Sequence, residues 1–457
     1  MTIAPPPSSL GKKFWQQVLV VAGLYLLVQG LTLSFTATGW AKYHVQLPLE
    51  QSQYWDAGIY AQLAIAPRCT AFYPLWPWLI RVLGSPATPT QALQGATVGS
   101  TLVFLGSLPL ALLTFAKIIR QPRIAFLAFC LYALGPNAIF HGIGYTESLF
   151  SSLSLGLLFT LAVIEDSPQL GRGQTMGLLG LLLALTTLMS LARPMMVPAL
   201  GAIALVLCLV VTLRVYGKQG GTEPRSPAPL RSARLPWLVG IMGVGSLLGY
   251  SLYGGYCWRT AGDFWAPFHA QVDWGRSLAL RPQLLLLPRS LLIDLHGLYL
   301  PLLLMVAIAW LLWGVYRGSP GLRLVLPRSP WFYALLIHPL VFTAGLVGLH
   351  YWGRSHTRLI TLPVTPGWSN YLGRFSVLFA IAFSGAHALI NLLANSGNLY
   401  STSRHVFGTP FVFVGIGVLL TALNQPVLNR VTWGIGAIGI GLLAQQWVAF
   451  ATNGWLG

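Results

Sequence analysis

From Phe14 to Phe35 the chain runs without one charged side chain, directly after Lys12 and Lys13. Wound as a helix, about 20 such residues cover a hydrocarbon core of about 30 Å. Comparable apolar runs recur at residues 91–115, 124–140, 147–164, 175–191, 195–213, 237–257, 291–315, 331–349, 371–393, 410–423 and 433–450. In lipid every backbone polar group needs an internal partner, so such runs become helices. The repetition predicts an all-α, polytopic membrane protein with about 10–12 transmembrane helices. Composition excludes the soluble alternative. Only 8% of the residues are charged, against about a quarter in soluble domains.

The net charge of +18 does not indicate a nucleic-acid partner, because the basic residues are scattered through short loops and form no polybasic arm. Lys12 and Lys13 place the N-terminus in the cytoplasm. Alternating from there, the loops 117–123, 214–234 and 317–328 are also cytoplasmic. They and the N-terminus hold four of the five lysines. Residues 214–236, rich in basic residues, Pro and Gly, read as a linker between a membrane half at 1–213 and a second half at 237–457. The second half carries a large outer loop at 258–290. The first apolar run is long enough to remain as a span, so no cleaved signal is expected. Four cysteines give no disulfide framework and no metal-ligand spacing. Cys130 and Cys208 read as packing residues, while Cys69 and Cys257 fall near one face, where pairing is an open alternative.

Nine acidic residues are few enough to weigh singly. Glu165, Asp166 and Glu223 fall in cytoplasmic loops and read as solvated. Glu50, Asp56, Glu147, Asp263, Asp273 and Asp294 fall on the outer face or at the outer end of a span. Ionisable groups beside lipid are costly, which makes them functional candidates. Asp56 stands in QYWDAGIYAQLA, ahead of RCTAFYPLWPWLIRVLG. Breakers and aromatics there suit short interfacial helices. A carboxylate at such a boundary can take a proton from an acceptor hydroxyl; the bland alternative is a capping or ion-paired Asp. Glu147, in GPNAIFHGIGYTESLFSSLS, either complements the helix dipole or holds an acceptor. The segment CWRTAGDFWAPFHAQVDWGRSLALRP gathers Asp263, His269, Gln271, Trp274 and Arg276. It is an ordinary outer loop or a sugar and phosphate site, since aromatic faces stack on sugars and Arg binds phosphate bidentately. Arg193 in SLARPMMVPAL and Arg374 in NYLGRFSVLFA either snorkel to water or clamp a lipid phosphate.

With those segments in view, the chain resembles the GPI mannosyltransferase II family, in its prokaryotic form, within the GT-C membrane glycosyltransferases. The matching pieces are YWDAGIYAQLA with AFYPLWPWLIR, GPNAIFHGIGYTESLFSSLS, SLARPMMVPAL, AGDFWAPFHAQVDWGR and the late GRFSVLFA. They occur in the family's order over most of the chain. Two departures stand out. Tyr54 precedes the Trp55–Asp56 pair where the family often has Arg, and the stretch after Gly262–Asp263 is longer than usual.

The resemblance implies a multi-pass protein, here of a prokaryotic plasma membrane, with an extracytoplasmic active site. It implies transfer of mannose or a related sugar from a polyprenyl-phosphate donor to a glycolipid, glycan or protein acceptor. Asp56 would be the catalytic base, in an inverting displacement. Trp55, Tyr60, Glu147, Asp263, His269, Gln271 and Trp274 would engage sugar or acceptor. Arg193, Arg276 and Arg374 would hold the donor phosphate. No cofactor and no obligatory metal are expected, and membrane lipids are the surrounding partner. The rival readings are a lipid or glycan transporter or flippase without transferase activity, and a non-catalytic membrane scaffold. A transporter is expected to place polar residues at mid-span, whereas here they gather at span ends.

Overall fold

Helix α1 (Ser8–Ser34) leads into three short helices, α2 (Gly39–Tyr43), α3 (Trp55–Ile65) and α4 (Leu75–Gly84). There follow α5 (Pro89–Ile119), α6 (Pro122–Leu134), a 3-10 turn at Pro136–His141, α7 (Glu147–Asp166), α8 (Arg172–Ala192), α9 (Met196–Gly217) and α10 (Leu235–Ala261). The loop beyond α10 holds α11 (Ala266–His269), strand β1 (Ser277–Leu278) and α12 (Gln283–Leu286). The remainder comprises α13 (Leu292–Tyr316), β2 (Gly321–Pro327), α14 (Pro339–Trp352), β3 (Thr357–Pro363), α15 (Phe375–Leu393), β4 (Ala394–Asn395), α16 (Thr402–Phe407), α17 (Phe411–Leu420) and α18 (Gln425–Ala451). This computed structural model describes residues 8–49, 52–217, 234–286, 292–316, 321–327, 338–352, 357–363, 371–421 and 425–456, with positions 329, 332 and 335. Most of the 214–236 linker, and Glu50, Glu223 and Arg289, lie outside the described residues.

Eight of these helices are long and apolar enough to cross a membrane, namely α1, α5, α7, α8, α10, α13, α15 and α18. The protein is therefore an all-α, polytopic membrane protein. Leu19, Leu27 and Leu31 of α1 stand exposed, which suits lipid and not water. The apolar runs at 124–140 and 410–423 resolve into shorter helices, α6 and α17. Both pack on α5 and on each other.

Close helix approach follows from small residues. Gly245 and Gly249 lie one turn apart on α10, against Thr186, Thr187 and Ser190 of α8. A Cβ at either glycine would overlap α8 atoms. Without a hydrophobic driving force between helices in lipid, such small-residue seams supply the packing. A disulfide joins Cys69, after α3, to Cys257 of α10, with Cα atoms 5.3 Å apart. It corrects the expectation of no disulfide framework and pins the α3–α4 segment to the bundle. Cys130 is half-buried as expected of a packing residue, whereas Cys208 stands on an exposed face of α9.

Two ends of the bundle can be told apart by contacts. One end, the Asp56 rim, gathers the α3–α4 segment, the N-terminus of α7, the C-terminus of α8 and the 3-10 turn. At the other end Arg374, which precedes α15, donates to the carbonyls of Lys117 and Ile118 at 3.1 and 3.2 Å. It also pairs with Glu165 and Asp166 at 3.3 and 3.2 Å. Glu165 further accepts from the Ser376 amide and hydroxyl, at 3.0 and 2.5 Å. This corrects two expectations. Glu165 is buried, not solvated. Arg374 lies a full helix length from Glu147, about 30 Å for the 20 residues of α7, so it cannot share a ligand with Arg193. The reversal arises after α13. His338 meets the Leu286 carbonyl at 3.1 Å, so α14 starts near the Asp56 rim, and the chain enters α15 from the opposite end.

Candidate functional site

Asp56 occupies the first turn of α3. The preceding Trp55 adopts φ +42°, a left-handed conformation that a bulky residue holds only when its surroundings over-determine it. Lys42 supplies part of that constraint. Its ammonium lies 4.9 Å from the Trp55 ring, 5.6 Å from Tyr54 and 4.4 Å from Phe450. Burial lowers the Lys42 amine to about 8, while three ring faces favour its charged form. Tyr54 donates to the Lys42 carbonyl at 2.9 Å.

Arg404, on the short α16, carries the centre of the site. Its Nη1 meets Asp56 Oδ2 at 2.7 Å, and its Nε lies 3.1 Å from Glu147 Oε1 at ion-pair distance. The guanidinium also sits over the rings of Phe140 and Tyr145, at 5.5 and 5.0 Å. Glu147 is buried and receives a second guanidinium, from Arg193 at 3.0 Å. Arg193 in turn donates to His405 Nδ1 at 2.5 Å. A chain of charge thus runs Asp56–Arg404–Glu147–Arg193 and ends on the His405 ring nitrogen. Burial, then Arg193 and Arg404, hold the His405 imidazole well below its usual range. It is therefore neutral and serves as an acceptor.

Arg276 joins this group from the loop after α10. Burial, then its like-charged neighbour Arg404, lower the Arg276 pKa, Asp56 opposes the drop, and Arg193 adds to it. Two guanidiniums, Arg193 and Arg404, thus pair with the carboxylates Glu147 and Asp56, and Arg276 lies within electrostatic range of Asp56, Arg404 and Arg193. Coulomb repulsion among the three is eased by an anion placed between them. Burial, then the carboxylates of Asp56 and Glu147, hold the Tyr60 hydroxyl protonated, while Arg193 opposes them. Its ring packs edge-on against Phe72 at 5.1 Å, and Phe72 against Trp274 at 5.6 Å. Trp274 is half-exposed, so an aromatic lane leads from the surface to Asp56.

The structure therefore gathers Asp56, Trp55, Tyr60, Glu147, Arg193 and Arg276, with Trp274 at the edge. It does not gather the rest. Asp263 and His269 pair with each other at 2.7 Å on an exposed surface, and Asp263 accepts from the Trp265 amide. The Gln271 carbonyl accepts from the Trp274 and Arg276 amides. Arg374 is at the far end. Glu147 has its Oε1 flanked by two guanidiniums, those of Arg193 and Arg404. Sequence reasoning missed Arg404 and His405. Their signal was present in STSRHVFG, two polar residues in a break between apolar runs. Asp294, an outer-face candidate in the sequence, supports α16 from beneath. It is fully buried and accepts from the Ser403 amide at 2.8 Å, next to Arg404. Among the described residues no group of three or more His, Cys, Asp or Glu could hold a metal ion.

No family model matches the chain, and no curated protein does. Among solved structures it is similar to ArnT from Cupriavidus metallidurans bound to undecaprenyl phosphate. The identity is 12% and the TM-score 0.48, covering 95% of this chain and 68% of that one. It is also similar to the Archaeoglobus fulgidus oligosaccharyltransferase in complex with Zn and sulfate, at 11% identity and TM-score 0.36, and to the same protein tethered to an acceptor peptide, at 11% and 0.38. The chain spans 53% and 56% of the length of those two, and 94% and 98% of this chain is covered. At such identities and scores the likeness assigns no activity.

Proposed function

We propose that the protein is a membrane glycosyltransferase that moves a mannose or related sugar from a polyprenyl-phosphate donor to a glycolipid, glycan or protein acceptor. The observation that carries this reading is the ion cluster itself, in which Asp56 lies at a rim beside Arg404 and near Arg276. The resemblance of YWDAGIYAQLA and its companion segments to GPI mannosyltransferase II proteins supports it. In this reading the phosphate of the donor rests against Arg276 and Arg404, and its prenyl tail lies among the helices. Asp56 takes the proton of an acceptor hydroxyl, whose oxygen forms a bond to the anomeric carbon. The bond from that carbon to the phosphate oxygen breaks, and the electron pair leaves with the phosphate. Guanidiniums fixed where that charge develops supply the main stabilisation. One displacement inverts the anomeric carbon. Tyr60, Phe72 and Trp274 line the approach of the acceptor, and Trp55 backs the base. We place the Asp56 rim outside the cytoplasm, since Lys117, Arg120 and Arg234 lie at the opposite end, and a disulfide on the rim suits an oxidising compartment.

Purified protein in lipid vesicles, given polyprenyl-phosphate hexoses and extracts of candidate acceptors, is expected to release polyprenyl phosphate. Mass spectrometry is expected to show one added sugar on the acceptor. Passage of intact lipid-linked sugar across the vesicle membrane, with no covalent product, would establish the transporter reading instead.

A further inference from the structure

The geometry points to the segment Phe450–Leu456 as a brace that holds Asp56 and Arg404 in register, with Trp455 and Asn453 as positioning residues. This rests on the transferase reading of the same site. Trp455 packs edge-on against Trp55, the neighbour of Asp56, with centroids 6.1 Å apart. It also packs against Tyr400, at 5.2 Å, on the turn that starts α16 and so carries Arg404. One indole therefore touches both segments whose side chains form the Asp56–Arg404 pair.

Asn453 provides the second hold. It adopts φ +61°, a conformation Asn tolerates better than most residues. Its Oδ1 accepts from Lys42 Nζ at 2.5 Å and from the Gln53 amide at 3.3 Å. Lys42 also donates to the Phe450 carbonyl at 2.6 Å. The chain entering Trp55 is thus tied to this segment by the Asn453 side-chain amide and the Trp455 indole, and Lys42 ties α2 to the same segment. The strained φ of Trp55 needs such a tie. Released from it, the Trp55 backbone relaxes toward negative φ and swings the Asp56 carboxylate away from Arg404. Because geometry errors of about 1 Å cost about a hundredfold in rate, the brace acts on turnover more than on substrate binding.

The test compares Trp455→Ala, Trp455→Phe and Asn453→Ala in the full chain in detergent or vesicles. Two readouts are needed, amide hydrogen exchange and steady-state transfer from a polyprenyl-phosphate hexose. Trp455→Ala is expected to speed exchange at residues 53–58 and 400–405 while α5, α7 and α15 exchange as before. Its kcat is expected to fall by about ten- to a hundredfold, with donor KM within twofold. Trp455→Phe, which keeps a ring, restores most of both. Exchange at 53–58 unchanged in Trp455→Ala overturns the brace, whether or not transfer is seen. A KM effect at constant kcat, or faster exchange across the whole bundle, also overturns it. Wild-type protein that transfers no sugar refutes the transferase reading, and the catalytic role of the brace with it.

Discussion

Substituting Asp56 by Asn keeps its shape and removes its charge, which separates chemistry from packing. Asp56 is partly exposed, and Arg404 retains Glu147, so the melting temperature of Asp56→Asn is expected to stay within a few degrees of wild type. Transfer is expected to fall by about 10²–10⁴-fold, the usual contribution of a general base. Glu147 behaves oppositely. Its removal leaves Arg193 buried without a countercharge and Arg404 with Asp56 alone, a loss of about 3–5 kcal/mol. Glu147→Ala is therefore expected to unfold or misassemble, measured as early elution loss and a lowered melting temperature. Wild-type stability in Glu147→Ala would show that the two guanidiniums are solvated. The neutral His405 sets a pH limit. Its imidazole is held well below its usual range by burial and by Arg193 and Arg404, so the unfolded chain takes up the proton that the fold refuses. Stability contributed by His405 is present above the unfolded value of about 6.5 and falls as pH drops below it. Thermal unfolding between pH 8 and pH 5 is expected to show that loss, and His405→Gln, which keeps an acceptor, is expected to lessen it.

At the scale of elements, two seams hold the site's surroundings. The first is the glycine seam between α8 and α10. Gly249→Leu is expected to force those helices apart, because the backbone carbonyl of Thr187 stands where its Cβ would go. Since Arg193 follows α8 directly, the Arg193–Glu147 bond would loosen too. Lost activity together with lowered thermal stability is the expected result, and normal values for both would remove the seam from the account. The second is the Cys69–Cys257 disulfide, which closes a loop of 188 residues in sequence separation. Reduction, or Cys69→Ser, is expected to lower stability by about 2–5 kcal/mol. The adjoining aromatic lane is expected to loosen with it, read as a rise in acceptor KM.

At the scale of the whole molecule, the class of the protein was legible from apolar run length alone, because a bilayer leaves helices as the only outlet for such runs. Asp56, Glu147, Arg193 and Arg276 were legible as rim residues, Glu147 and Arg193 as charged groups at the ends of apolar runs, Asp56 and Arg276 as charged groups in aromatic-rich outer loops. Arg374 was not. Its placement depends on the direction in which the chain enters α15, and a single run at 331–349 counted as a crossing inverts that direction for everything after it. Arg404 escaped notice because α16 is too short to show any period; only its tertiary seat, made by Asp294 beneath Ser403, fixes where it points. The measurement that tests the central claim most directly is single-turnover release of polyprenyl phosphate from a polyprenyl-phosphate hexose, in vesicles, by wild type and Asp56→Asn side by side. Release by the wild type with glycosylated acceptor formed in equal amount, and its loss in Asp56→Asn, is the expected result. Equal release by both proteins, or by neither, would contradict a rim carboxylate acting as the base of sugar transfer.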